Sequence, residues 1–137
     1  GGSTGQILRK VSGTDFDTEW ASQTGAFSFR IAGAADVITT GAKKVMFRIP
    51  YSCTITGWEI IADQTGSIVM DIWSDSSNPP TTSIVASAKP TITTATKATS
   101  TTLTGWTTAL AAGDYIEIEV ESVTDIEIAT LTLTVTR

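Results

Sequence analysis

Residues 113–122, GDYIEIEVES, decide the fold class. Ile116, Ile118 and Val120 fall on one side of an extended chain, and Tyr115, Glu117, Glu119 and Glu121 fall on the other. Successive side chains of a strand point to opposite faces, so this alternation predicts a core face and a wet face. The closing run 126–137, IEIATLTLTVTR, repeats the pattern, with Leu131, Leu133 and Val135 opposed to Thr130, Thr132, Thr134 and Thr136. A helical period would scatter both sets, and β-branched side chains resist a helix.

The rest of the chain agrees. Val, Ile and Thr make up 49 of the 137 residues against five Leu, a strand-forming mixture. AFSFRIAG (26–33) and VMFRIP (45–50) alternate, the latter ending at Pro50. CTITGWEIIAD (53–63) and GSIVMDIWSD (66–75) read as an antiparallel pair joined by a turn near Asp63–Gly66. SDSSNPPTTS (74–83) is a loop, because consecutive prolines cannot sit inside a paired strand. PTITTATKATSTTLTGW (90–106) suits either an exposed strand or a long surface connection. The expected fold is all-β: seven to nine short antiparallel strands in a two-layer β-sandwich, with jelly-roll connections as one arrangement.

Residues 1–25, GGSTGQILRKVSGTDFDTEWASQTG, stand apart as a Gly/Ser/Thr-punctuated segment before a sandwich domain spanning 26–137. Two brief strands, Gln6–Val11 and Phe16–Ala21, are expected to form a hairpin around Ser12–Thr14. A two-stranded hairpin is marginal alone in water, so Phe16 and Trp20 need either the main domain or a neighbouring copy to pack on.

Composition removes several functional classes. With no His and one Cys, Cys53, the chain lacks a Ser-His-Asp triad, a Cys-His pair and the usual histidine-bearing metal sites. A net charge of −5 argues against nucleic acid and against an anionic membrane surface. No run approaches the roughly 18 apolar residues that cross a bilayer, and the start of the sequence has no apolar secretory stretch. No cofactor is expected. Cys53 reads as a small buried hydrophobe.

Trp58, Trp73 and Trp106 are the candidate binding residues, each an apolar face with one donor; plugging the core is the competing role. Trp73 is favoured because it adjoins the proline loop, where Asp75 and Asn78 offer hydrogen-bonding groups on a stiff backbone. Tyr115 and Tyr51 are weaker candidates. Three carboxylate sets (Asp15, Asp17 and Glu19; Glu117, Glu119 and Glu121; Asp71 and Asp75) lack calcium-loop spacing, and the first two read as solvated strand faces. A glycosidase would need opposed carboxylates that linear spacing does not demonstrate. Lys43, Lys44 and Arg48, like Arg9–Lys10, are too sparse for an electropositive groove.

The segment TGQILRKVSGTDFDTEWAS, Thr4 to Ser22, resembles one that recurs in bacteriophage tail-fibre and other virion appendage proteins. MDIWSDSSNPPTT, AKPTITTATKATSTTLTGWTTALAAGDYIEIEVES and IATLTLTVTR look like a β-rich domain common near the C-terminus of such proteins. The resemblance implies a homotrimeric module on an external appendage of the virion, made in the host cytoplasm. Its N-terminal segment would lie near the threefold axis beside other virion proteins. Phe16 and Trp20, with the apolar pair Ile7 and Leu8, would then be covered by neighbouring subunits. The displayed domain would contribute to host-surface receptor or carbohydrate binding; a structural, assembly or decoration module without a receptor site is the alternative.

Overall fold

The computed structural model describes residues 1–41 and 43–137. Among them the chain forms nine strands: β1 (Gln6–Lys10), β2 (Thr18–Ser22), β3 (Thr24–Ala32), β4 (Lys43–Arg48), β5 (Cys53–Asp75), β6 (Thr91–Ser100), β7 (Ala109–Leu110), β8 (Tyr115–Thr124) and β9 (Ile128–Thr136). β1 and β2 form a two-stranded sheet, and the other seven form one large antiparallel sheet with the path β3-β9-β5-β8-β4, to which β6 and β7 add on β5. The all-β antiparallel expectation holds. The ladders join these seven strands into one curled, open sheet.

The spine is β5, and it corrects one expectation. The pair predicted at 53–63 and 66–75 is a single strand of 23 residues that does not turn back. Its first half pairs with β9, Ile60 opposite Leu131, and its second half pairs with β8, Ile72 opposite Ile118. β8 and β9 therefore lie end to end along one edge of β5. β6 runs along the other edge, and its register slips where β5 passes from Ile61 to Gly66.

All three lines bend at the same crease. Asp125 (φ 66°) lies between β8 and β9, and Thr94 (φ 46°) lies within β6, both in the left-handed region that few non-glycine residues adopt. Extra residues in one strand bend a sheet and strengthen its twist. Polar groups stitch the bend: Asp63 Oδ1 accepts from the Glu127 and Ile128 amides at 3.2 and 3.0 Å, Thr94 N–H donates to Ser67 Oγ at 3.0 Å, and Gln64 donates to the Asp125 carbonyl. Gly66 has to be glycine here, since an added Cβ would lie 2.3 Å from the Thr124 carbonyl oxygen. The polar DQTG stretch that reads as a turn is the crease of a continuous strand.

Bending brings the apolar faces together. Phe27, Phe29 and Ile31 of β3, Ile116, Ile118 and Val120 of β8, and Leu131, Leu133 and Val135 of β9 are all buried with Ile55, Ile60, Ile68, Met70 and Ile72 of the spine. The ends of the path, β3 and β4, approach without a ladder between them. Phe47 bridges the gap, its ring centroid 5.3 Å from Phe27 and 5.9 Å from Phe29. The undecided tract 90–106 supplies β6, and its Ile92 is fully buried.

The outward side of β8 is less uniform than alternation predicts. Glu119 is half-buried and Glu121 exposed, but Glu117 is buried at 4% exposure, because it sits in the sheet interior between Met46 of β4 and Trp73 of β5.

The N-terminal hairpin forms with Leu8 opposite Trp20 and Ile7 opposite Ala21. β2 begins at Thr18, two residues later than expected, because Phe16 lies in the connection with φ 64°. That connection is closed by Val11 N–H donating to the Asp17 carbonyl at 3.0 Å and by the Ser12 hydroxyl on the Asp17 carboxylate. β3 starts at Thr24, so Thr24 and Gly25 already pair with Thr136 and Val135.

Candidate functional site

Three surfaces are candidate sites, and two of them carry residues that the sequence singles out. The first is the end of the β5–β8 arm. Asp75 pairs with Tyr115 and Trp73 with Glu117, and both aromatics are half-buried. The loop carrying Asn78 leaves directly from Asp75, so Trp73, Asp75, Asn78 and Tyr115 lie at one end of the sheet. Asp75 works as a loop clasp: its carboxylate accepts the amides of Ser77 and Thr81 at 2.7 and 2.8 Å and the Thr81 hydroxyl at 3.0 Å. The Thr81 N–H above all holds this carboxyl well below the usual carboxylate range. Its oxygens are committed to the backbone, and Asn78 is exposed at the loop surface.

Beside this end, Asp71 is buried at 3% exposure and is met by Lys89 Nζ at 2.9 Å and Ser83 Oγ at 2.6 Å. Lys89 also reaches Glu121, so one ammonium ties β5 to β8. The Glu121 carboxylate, then Asp71, hold the Lys89 pKa above its ordinary value against partial burial. This is structural bracing from a lysine that carries no sequence signature. Among the described residues, no group of three His, Cys, Asp or Glu side chains is placed to hold a metal ion.

The other two candidate tryptophans are buried, and Trp58 also lines the groove that forms the third surface. Trp106 is buried and donates its indole N–H to the Ala88 carbonyl at 2.8 Å, pinning the 82–90 segment. Trp58 is buried opposite Leu133, on the inward side of β5. Cys53 is buried, which pushes its thiol pKa up. The side chains of Lys43 and Lys44 lie outside the described residues; Arg48 is exposed and packs over Gly113, whose added Cβ would lie 3.2 Å from the guanidinium.

The second surface is the hairpin. Phe16 is 97% exposed, Leu8 55%, Trp20 48%, and Ile7 and Val11 are comparably open. The Trp20 indole lies against Gly2, whose added Cβ would lie 2.4 Å from it. Arg9 pairs with Glu19 across the ladder at 2.5 Å, and the hairpin forms a sheet of its own. A groove of about 410 Å³ lies along the hairpin where it passes into β3, lined by Ile7, Arg9, Ala21, Ser22, Gln23 and Thr24.

The third surface was missed in the sequence. On the outward side of the β9–β5–β6 arm, a groove of about 240 Å³ opens over Gly57. Its walls are the hydroxyl residues Thr56, Thr99, Thr101, Thr132 and Thr134, with the exposed Glu59 carboxylate. A Thr-rich strand signals only propensity, so nothing local marks these residues as neighbours.

No family model matches the chain, and no curated protein matches it. Among solved structures, the crystal structure of the serine protease of Aeromonas sobria is similar over 83% of this chain and 27% of that chain, at 12% identity and a TM-score of 0.36. A likeness that low carries no argument about fold or chemistry. This chain spans about a quarter of that protein's length.

Proposed function

We propose that the chain is a non-catalytic, homotrimeric module of a virion appendage, a tail or head fibre, that contributes to contact with a host-surface receptor or carbohydrate. In this reading residues 1–25 are the attachment and oligomerisation segment and 26–137 the displayed domain. The two arms of the curled sheet act as the facing layers of a sandwich. Other virion proteins lie at the N-terminal end. The observation that carries the reading is the exposed hairpin: an isolated two-stranded sheet is marginal in water, yet this one presents Ile7, Leu8, Val11, Phe16 and Trp20 to solvent. Cover by other copies of the same hairpin resolves that conflict. The number three comes from the resemblance of Thr4–Ser22 to virion appendage segments.

The burial of Trp58 and Trp106 favours the second reading, a decoration or assembly module with no receptor site of its own. Trp73, Tyr115 and Tyr51 are the half-buried aromatics among the candidates of the sheet domain. Native mass measurement should give about three times 14.4 kDa, and the double variant Phe16→Ser, Trp20→Ser should shift the population to monomer while keeping its β-sheet circular dichroism. A strictly monomeric parent chain across micromolar concentrations would overturn the trimer. Host-cell adsorption that is abolished in Trp73→Ala supports the receptor reading, and a folded trimer that adsorbs to no host cell supports decoration.

A further inference from the structure

We infer that the groove over Gly57 is a binding site for one ring of a neutral saccharide. The bulge at Thr56 shifts the register between Ile55 and Gly57, so Gly57 faces outward opposite Thr134, in a row where a side chain would otherwise stand. An added Cβ would lie 3.1 Å from the Ser100 carbonyl oxygen and 3.4 Å from Thr101 Cγ2, so glycine lets the Ser100–Thr101 segment approach β5 closely and form one wall of the groove. One row away, Ser28, Thr132, Glu59 and Thr99 stand side by side across four strands.

The hydrogen-bonding state of these hydroxyls selects the ligand. Thr56 Oγ1 donates to the Thr134 carbonyl at 3.2 Å and Thr99 Oγ1 to the Trp58 carbonyl at 2.9 Å, so each presents lone pairs to the groove. Thr132 and Ser28 share one bond at 2.9 Å. Glu59 adds an acceptor-only carboxylate that pairs with no other described group, although Lys97 and Arg30 lie in the next row. A wall of acceptors around one carboxylate suits a ligand rich in O–H donors, and it repels phosphate, sulfate or a sialic-acid carboxylate. Drug-sized sites run to roughly 300–1,000 Å³, so this smaller groove takes a single sugar ring. Affinity for one ring is expected on the order of millimolar, which display on several copies would raise.

The inference rests on reading the sheet domain as a surface-recognition module, and it is independent of the hairpin. The test is amide chemical-shift mapping of the full chain with methyl α-glucoside, methyl β-galactoside, methyl α-mannoside and N-acetylglucosamine at about 50 mM, a concentration that loads millimolar sites. The expected result is saturable shifts at Gly57, Glu59 and Thr134 with at least one sugar. Binding should weaken about tenfold in Glu59→Gln and vanish in Thr134→Tyr, which covers the groove with a strand-compatible ring, while both variants keep the parent melting temperature. No shifts with any of the four sugars, undiminished shifts in Thr134→Tyr, or shifts centred on Trp73 and Tyr115 would overturn it. If it fails, the native mass and the adsorption of virions still judge the appendage reading separately.

Discussion

Gly66→Ala is the substitution that interrogates the crease. An ideal Cβ there lies 2.3 Å from the Thr124 carbonyl oxygen and 2.7 Å from Ile126 Cγ1, and Ile126 is fully buried. Contact at about 3.4 Å or more is ordinary for such a pair, so backbone or core must move by about 1 Å, and overpacking of that kind costs roughly 1–3 kcal/mol. The obstacle is backbone on the neighbouring line of strands, so relief means loosening the junction of β8 and β9, and the upper half of that range is expected. For a chain of this size about 1 kcal/mol moves the melting temperature by roughly 3–4 °C, giving a fall of about 6–12 °C. Gly13→Ala is the control: nothing lies within 4 Å of its added Cβ, and it should leave the transition within about 2 °C, as surface changes usually do. The assay is thermal and urea unfolding followed by circular dichroism and tryptophan fluorescence, at one protein concentration because self-association shifts the midpoint. If Gly66→Ala melts within about 2 °C of the parent, residues 63–66 form an open turn and the continuous spine is wrong.

Two further predictions concern charge. Lys89→Met leaves the buried Asp71 carboxylate without its cation, and breaking the pair should cost about 2 kcal/mol, below the roughly 3–5 kcal/mol of fully buried pairs because Lys89 is partly exposed. Because Lys89 titrates higher when folded, its contribution is fully present below the unfolded lysine pKa near 10.5 and is lost as pH rises through the higher folded value. The gap between parent and Lys89→Met melting temperatures should hold from pH 6 to about 10 and close above it. Asp75→Asn tests the loop clasp with the opposite sign. The folded Asp75 carboxyl is depressed, so its stabilisation is present above the unfolded pKa near 3.9 and lost as pH falls through the lower folded value. The Ser77 and Thr81 amide resonances should therefore stay in place well below pH 3.9 in the parent, and be displaced at every pH in the variant.

Much of the fold was legible in short stretches. The alternations at 115–120 and 129–135 place Ile116, Ile118, Val120, Leu131, Leu133 and Val135 in the core as the period of two demands, because facing is a local property of an extended backbone. The hairpin was legible but its register was not: strands at 6–11 and 16–21 would set Gln6 opposite Ala21, and the longer connection through Phe16 sets it opposite Ser22. The polar loop at 76–82 followed from its prolines.

The candidate site was less legible. Asp75 carries a sequence signal as a polar residue beside a proline loop, but that signal cannot separate an offered carboxylate from one already clasped by Ser77 and Thr81. Trp58 and Trp106 look alike in sequence to Trp73, and their burial is settled by which side of β5 a bulge leaves them on and by the reach of Trp106 to the Ala88 carbonyl.

The sequence by itself determined an all-β chain, the faces of its strands and the absence of histidine-based chemistry, because these depend on residue identity and on a periodicity spanning a few residues. Only the tertiary structure decided that Cys53–Asp75 is one bent strand, that Glu117 is buried, and that Thr56, Gly57, Glu59, Thr99 and Thr134 share a groove. The reason is physical: a turn and a crease draw on the same polar, glycine-containing residues. What separates them is the pairing available on either edge, and here that pairing comes from β6, β8 and β9, many residues further along the chain.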